Sequence, residues 1–321
     1  MRYLVTGGCG FIGSHLTARL VADGHEVVVL DDLSTGTPAN LPSQRARLIE
    51  GDMRDRALLI QALDRVDGVV HLAAIASVDR CTRDWQDSHS INIGAFVGLL
   101  ECIARSERPK IPVVYASSAA VYGDCDRLPL TEVEHVLPIS AYGADKLACE
   151  QHARVAARVF GMHTVGLRFF NVFGPRQDPA SPYSGVISIF ARRCLTGVPL
   201  RIFGDGGQSR DFVYVADVVA ALCASLQHAG PVAQVVNVCT GRSTTIRELA
   251  EQLAAAAGRP AEIETGPERP GDIRHSLGDP TVLEQALGIV AQTSLQDGLG
   301  AVMDWLAQDM ADSGACAGAR S

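Results

Sequence analysis

Tyr142 and Lys146 stand four residues apart in Tyr-Gly-Ala-Asp-Lys, in a chain that has 26 arginines but only two lysines. Composition alone would produce a Tyr-x-x-x-Lys pair only ~0.04 times in such a chain, so coincidence accounts poorly for it. On a helix four residues make about one turn, and phenol and ammonium then share a face. A nearby cation favours the ionised phenol, whose ordinary pKa is about 10, and makes it a usable proton acceptor. Lysine suits that task better than arginine because its ammonium is a compact charge with rotatable donors. Ser118 precedes Tyr142 by 24 residues and follows directly on the strand-like run Ile111 to Ala116, after Ser117. A hydroxyl at a strand's carboxyl end sits where open α/β sheets bind ligands.

A second constellation lies at the amino end. Thr6-Gly7-Gly8-Cys9-Gly10-Phe11-Ile12-Gly13 joins a short apolar run, Tyr3 to Thr6, to a stretch of helical spacing that stops at Gly24. Gly7 permits a tight turn, Gly10 lets backbone approach a pyrophosphate, and Gly13 allows close helix–strand packing. The helix N-terminus then faces the anion. Asp31 ends the next β-branched run, 18 residues past Gly13. A carboxylate there accepts hydrogen bonds from a ribose and repels a 2′-phosphate, and Asp32 adds to that repulsion. The following Leu33-Ser34-Thr35-Gly36 has no arginine, so NAD is expected rather than NADP. Asp52 and Met53 are placed to meet the adenine, with a helix N-cap as the other reading of Asp52. Leu72, Ala73 and Ala74 offer small residues beside the cofactor. Serine, tyrosine and lysine next to a nicotinamide form a proton-relay set for interconverting an alcohol and a ketone.

These groups need a scaffold that alternates strands and helices. Strand-like runs at Glu26 to Leu30, Arg47 to Glu50, Gly68 to Leu72, Ile111 to Ala116 and His163 to Phe170 alternate with helical stretches near 54–64, 88–106 and 141–160. That rhythm predicts an α/β fold, a doubly wound, Rossmann-like parallel sheet. Past residue 175 the rhythm is lost, and a smaller mixed α/β domain is expected over 176–211 and 241–311. The first domain covers 1–175 with a return at about 212–240, and the Gly/Ala/Ser-rich tail 312–321 is expected to be disordered. A net charge of −8 argues against nucleic acid or an anionic membrane as partner. The nine cysteines include no Cys-x-x-Cys pair, which gives no zinc site and suggests free thiols. No secretory signal or membrane-spanning run is evident, so a cytoplasmic location is expected.

The glycine turn, Ser117-Ser118-Ala119-Ala120-Val121-Tyr122-Gly123 and the Tyr142/Lys146 pair together resemble the extended short-chain dehydrogenase/reductase superfamily. Leu167 to Gly174, Ser209 to Val218 and Arg269-Pro270-Gly271-Asp272 extend the likeness to about residue 280. Within that superfamily the chain resembles UDP-glucose (galactose) 4-epimerases and UDP-N-acetylglucosamine 4-epimerases. The resemblance implies an isomerase with Ser118, Tyr142 and Lys146 as catalytic residues and tightly bound NAD that is regenerated in each cycle. It implies cofactor contacts from Gly7, Gly10, Phe11, Ile12, Gly13, Asp31, Asp32, Ser34, Gly36, Asp52, Met53, Leu72, Ala73, Ala74 and Phe169, beside Tyr142 and Lys146. A UDP-sugar would meet Ser118, Asn171, Gln177, Gly185, Val186, Arg201, Phe203, Arg210, Arg269, Asp272 and Ser276. Arg210 and Arg269 would hold the diphosphate. The position of Ser276 gates the sugar's C2 side in this family, and a small residue there implies N-acetylated UDP-sugars, with UDP-Glc/UDP-Gal also open. Related dehydratases carry polar residues where Ala119 and Ala120 stand, which favours simple epimerisation. UDP-glucuronate epimerisation, a nucleotide-sugar dehydratase or reductase, and a non-catalytic NAD-binding regulator remain as alternatives. The resemblance also implies a homodimer through the helices near 88–106 and 141–160.

Overall fold

Short β-branched runs make the first strands: β1 (Arg2–Thr6), β2 (Glu26–Asp31), β3 (Ala46–Glu50), β4 (Gly68–His71), β5 (Pro112–Ser118) and β6 (His163–Phe169). Between them lie α1 (Phe11–Ala22), α2 (Arg56–Ala62), α3 (Val78–Arg83), α4 (Trp85–His89), α5 (Ala95–Ala104) and α6 (Ala141–Phe160). Next come β7 (Asn171–Phe173), α7 (Val186–Thr196), β8 (Leu200–Phe203), β9 (Ser209–Arg210), β10 (Phe212–Tyr214), α8 (Val215–His228) and β11 (Gln234–Val238). The chain closes with β12 (Thr244–Thr245), α9 (Ile246–Ala256), β13 (Ile263–Gly266), β14 (His275–Ser276), α10 (Thr281–Leu287) and α11 (Leu295–Gly318). This computed structural model describes residues 1–318 apart from 43, 109, 180–184 and 269–272, with side chains as far as 312.

Seven strands form one parallel sheet in the order β11-β6-β5-β4-β1-β2-β3. It is the Rossmann-like, doubly wound sheet that the alternation of strands and helices predicts. Both faces are covered, so successive residues of one strand enter different cores. Val28 and Leu30 pack with Phe96, Leu99 and Ile103 of α5 and with Ala153 of α6. Val27 and Val29 pack with Leu16 and Leu20 of α1 and Val218 and Leu222 of α8. The order of building reverses between β1 and β4, and the crevice above such a reversal is where open sheets take ligands. A third core joins Phe190 of α7, Leu200 and Ile202 of β8, Leu249 and Leu253 of α9, and Val302 and Leu306 of α11. That core belongs to the part of the chain where the strand–helix rhythm fails.

Two expectations change. The helical stretch near 88–106 is α4 and α5 joined by a π-helical segment, Ser90–Gly94. Asn92 lies in the wider turn and spends its side chain on the backbone of Ile75 rather than on a packing contact. The N-cap of α2 is Asp55, which accepts the Ala57 and Leu58 N–H groups, so Asp52 is not a cap. Among the described residues no helix is long and apolar enough to cross a membrane.

Candidate active site

A cleft of about 540 Å³ opens above the carboxyl ends of the sheet, lined on one side by the glycine turn and on the other by Ser118, Tyr142 and Lys146. The turn closes as its residues require. Gly7 has φ 69°, and a Cβ on it would lie 2.7 Å from the Ala73 nitrogen. A Cβ on Gly13 would lie 2.1 Å from the Gly7 carbonyl oxygen, so only glycine lets α1 start this close to β1. At Gly10 a Cβ would meet only that same oxygen, at 3.3 Å. The space a side chain would take there is left to the cleft. Helix α1 has no side-chain cap at its start, which leaves first-turn N–H groups for an anion.

Asp31 sits at the end of β2 with one oxygen accepting the Cys9 N–H at 2.8 Å and the other accepting the Leu33 N–H at 2.9 Å. Burial raises its pKa, and those two N–H groups oppose the rise. The carboxylate is therefore anchored to the glycine turn while it lines the cleft. Burial, aided by Asp31, pushes the Cys9 thiol up to about 12, so it stays neutral within the turn. Asp32 accepts both the backbone N–H and the hydroxyl of Ser34. The hydrogen bonds of Arg54 lower the pKa of Asp52 and keep it a carboxylate at the rim. An anion-ready helix end, an open glycine and a fixed strand-end carboxylate fit a dinucleotide's pyrophosphate and ribose.

The opposite wall carries Ser118, Tyr142 and Lys146, the residues expected to react. Ser140 caps α6 by accepting the Gly143 N–H at 3.1 Å, which starts the helix one residue before Tyr142. Lys146 follows one turn later, 3% exposed, with its ammonium 5.7 Å from the centre of the Tyr142 ring. It donates to the Ala116 carbonyl of β5 at 3.0 Å, so helix and strand share this cation. Ser118 accepts the Ala120 N–H at 3.1 Å, starting a single 3-10 turn. Beneath them His71 lies flat on Phe96, with ring centres 5.1 Å apart. Burial lowers its pKa to about 3, with the Lys146 charge adding to the effect, so it is neutral near pH 7.

Of the residues expected to meet the cofactor, all but Gly36 line this cleft. Gly36 packs behind the turn, where a Cβ would lie 2.7 Å from the Cys9 Cβ. Of those expected at the sugar nucleotide, Ser118, Asn171, Gln177 and Gly185 line it too. Val186, Arg201, Phe203, Arg210 and Ser276 are not along the described lining. Arg201 stacks over the Phe203 ring at 5.2 Å on β8, Arg210 donates to the Ser209 carbonyl, and Ser276 pairs with Arg210 across β14 and β9. Arg269 and Asp272 lie outside the described residues. Sequence reasoning does not single out Ile75, Ala76, Arg80 or Ile91, which also line the cleft. The available signal for Arg80 is Ser77, which caps α3 by accepting the Arg80 N–H and sets that arginine in its first turn. Asn92 is also missed. It bonds Ile75 and, at 3.4 Å, Asp145 of α6, tying the loop after β4 to the helix that carries Tyr142.

Residues 3–239 match the NAD dependent epimerase/dehydratase family. The chain belongs to that family. NAD is its cofactor, in keeping with the cradle described above. A UDP-glucose 4-epimerase of Mycolicibacterium smegmatis is 38% identical over 310 residues, covering 95% of this chain and 98% of its own. The crystal structure of UDP-glucose 4-epimerase from Thermotoga maritima, with UDP-glucose, matches at a TM-score of 0.92 and 36% identity, covering 97% of this chain and 100% of that one. A UDP-N-acetylglucosamine 4-epimerase from Methanobrevibacter ruminantium, in complex with UDP-N-acetylmuramic acid, matches at 0.91 and 36%, covering 96% and 98%.

Proposed function

We propose that this family member inverts C4 of a UDP-hexose through a transient 4-keto sugar, without net oxidation. The observation that carries the reading is that Ser118, Tyr142 and Lys146 face the same cleft as the glycine turn and Asp31. When bound, NAD supplies the acceptor, and later the donor, of the C4 hydride. Tyr142 takes the C4 hydroxyl proton and restores it after the sugar has turned over. Lys146 holds its ammonium beside the phenol ring, and Ser118 hydrogen-bonds the C4 oxygen. Between the two half-reactions the sugar must rotate while its nucleotide stays held. Arg210, with Arg269, is assigned that hold on the diphosphate. Asn171 and Gln177 meet the sugar side, and the backbone near Arg201 and Phe203 takes the uracil.

N-acetylated UDP-hexoses are the proposed substrates, with UDP-Glc/UDP-Gal also accepted. Support comes from the small side chain of Ser276 and from Gly185, against which Gln177 packs so closely that a Cβ would lie 3.1 Å from its Nε2. UDP-glucuronate is the second reading. The observation favouring it is Arg80, a guanidinium on the cleft wall whose described ion pair with Asp84 is loose at 3.8 Å. A panel of UDP-sugars incubated with purified protein and no added NAD separates these readings. The expected products are the C4 epimers of the N-acetylated pair. Interconversion of no C4 pair, even with NAD supplied, would remove the reading altogether.

A further inference from the structure

Behind the cleft, one turn past Lys146, a carboxylate and a guanidinium are buried together. The side chains of Glu150 on α6 and Arg168 on β6 are each 6% exposed. They pair twice, at 2.9 Å from Nε to Oε1 and at 2.8 Å from Nη2 to Oε2. Ser117, the neighbour of Ser118, donates its hydroxyl to the same Glu150 Oε1 at 2.5 Å. Arg168 also donates to the Tyr122 hydroxyl at 2.8 Å, and Tyr122 in turn donates to Asn237 of β11 at 2.7 Å. Helix α6, the ends of β5 and β6, the turn after Ser118 and β11 therefore meet at one ion pair.

Stability is a weak reason for such a pair. Taking both charges out of water offsets their attraction, and apolar replacements of similar volume are often neutral or stabilising. What an apolar contact would not supply is direction. A two-pronged guanidinium–carboxylate contact fixes both distance and orientation. Here it fixes how α6, which carries Tyr142 and Lys146, sits on β6, and the Ser117 hydroxyl on the same carboxylate extends that register to the end of β5, which carries Ser118. A misplacement of about 1 Å among reacting groups can cost on the order of 100-fold in rate.

We infer that Glu150 and Arg168 are positioning residues for the reaction, holding α6 against the end of β5 so that Tyr142 and Lys146 stay in register with Ser118. Neither lines the cleft. The inference rests on the 4-epimerase reading. Its test is the apolar double variant, Glu150→Leu with Arg168→Met, compared with wild type for Tm, released NAD, KM and kcat. The expected result is a Tm equal to or above that of wild type, full NAD content, KM within about twofold and kcat lower by about 30-fold. Ser117→Ala removes one strut without unpairing a charge, and should lower kcat by roughly 3- to 10-fold at unchanged Tm. A folded double variant with wild-type kcat overturns the inference, as does a kcat loss that merely follows loss of NAD or of Tm. Should the double variant not fold, unchanged kcat in Ser117→Ala overturns it. A wild type that turns over no C4 pair sinks the functional reading and this inference with it, whereas active wild type with equally active variants sinks the inference alone.

Discussion

The two walls of the cleft are built by different means. The cofactor wall is mostly backbone: four glycines within seven residues, an uncapped helix start and a carboxylate held by two N–H groups nearby. The wall opposite is made of side chains supplied from separate elements, Ser118 from β5 and Tyr142 and Lys146 from α6, with Lys146 on the Ala116 carbonyl and the Glu150–Arg168 pair behind it. A backbone site leaves its mark in consecutive residues and is intolerant of any added atom. A side-chain site tolerates volume changes better and fails when one functional group is lost.

Tyr142→Phe tests that contrast most severely. Removing the proton acceptor should lower kcat by about 10³-fold, within the range for general acid–base groups, while Tm and NAD content stay near wild type. Product analysis of a UDP-sugar pair, with NAD released by denaturation measured alongside, gives both numbers. Gly13→Ala should show the opposite pattern. Its Cβ would stand 2.1 Å from the Gly7 carbonyl oxygen, so the turn must open. The purified variant should lack most of its NAD and be destabilised by about 1–3 kcal/mol, read from urea unfolding. A Gly13→Ala protein that keeps a full complement of NAD would erase the distinction between the walls.

Ser276→Tyr sharpens the comparison on the sugar side. Filling that position should cut turnover of the N-acetylated pair by at least about tenfold relative to UDP-Glc/UDP-Gal, because a pocket rejects an added group by crowding. An unchanged ratio would remove Ser276 from the specificity argument. The smallest effect is a pH slope. His71 has a pKa of about 3 when folded, below its ordinary 6.5, so between those values the unfolded chain holds the extra proton. Its contribution is complete above about pH 6.5 and is lost as pH falls toward 3, at up to about 1.4 kcal/mol per pH unit. Unfolding free energies of His71→Asn and wild type at pH 7 and pH 5 should differ in slope by that order, and parallel slopes would contradict it.

The same division explains what the sequence makes legible. The strands and helices of the large sheet can be read because their apolar runs and glycine stops are local. The seventh strand, Gln234–Val238, belongs beside β6 although residues 170–233, of irregular rhythm, separate them. The sequence leaves Asp52 open as a cap, and only the backbone path gives that place to Asp55. The π-helical segment at Ser90–Gly94 follows from Asn92 reaching Ile75, a contact with no local signature. Arg80 lines the cleft as one of 26 arginines, and its one local signal, the Ser77 cap, sets it in a first turn without directing it to the cleft.

The late return of β11 also limits how the molecule can be dissected. A fragment cut at about residue 175 would expose the flank of β6, from Val165 to Phe169, that β11 now covers. It would also strip Tyr122 of Asn237 and uncover α1 where α8 packs on it. Open parallel edges of that kind invite aggregation. Expressing residues 1–175 alone, or grafting a foreign segment after β6, should therefore yield insoluble material unless α8 and β11 travel with it.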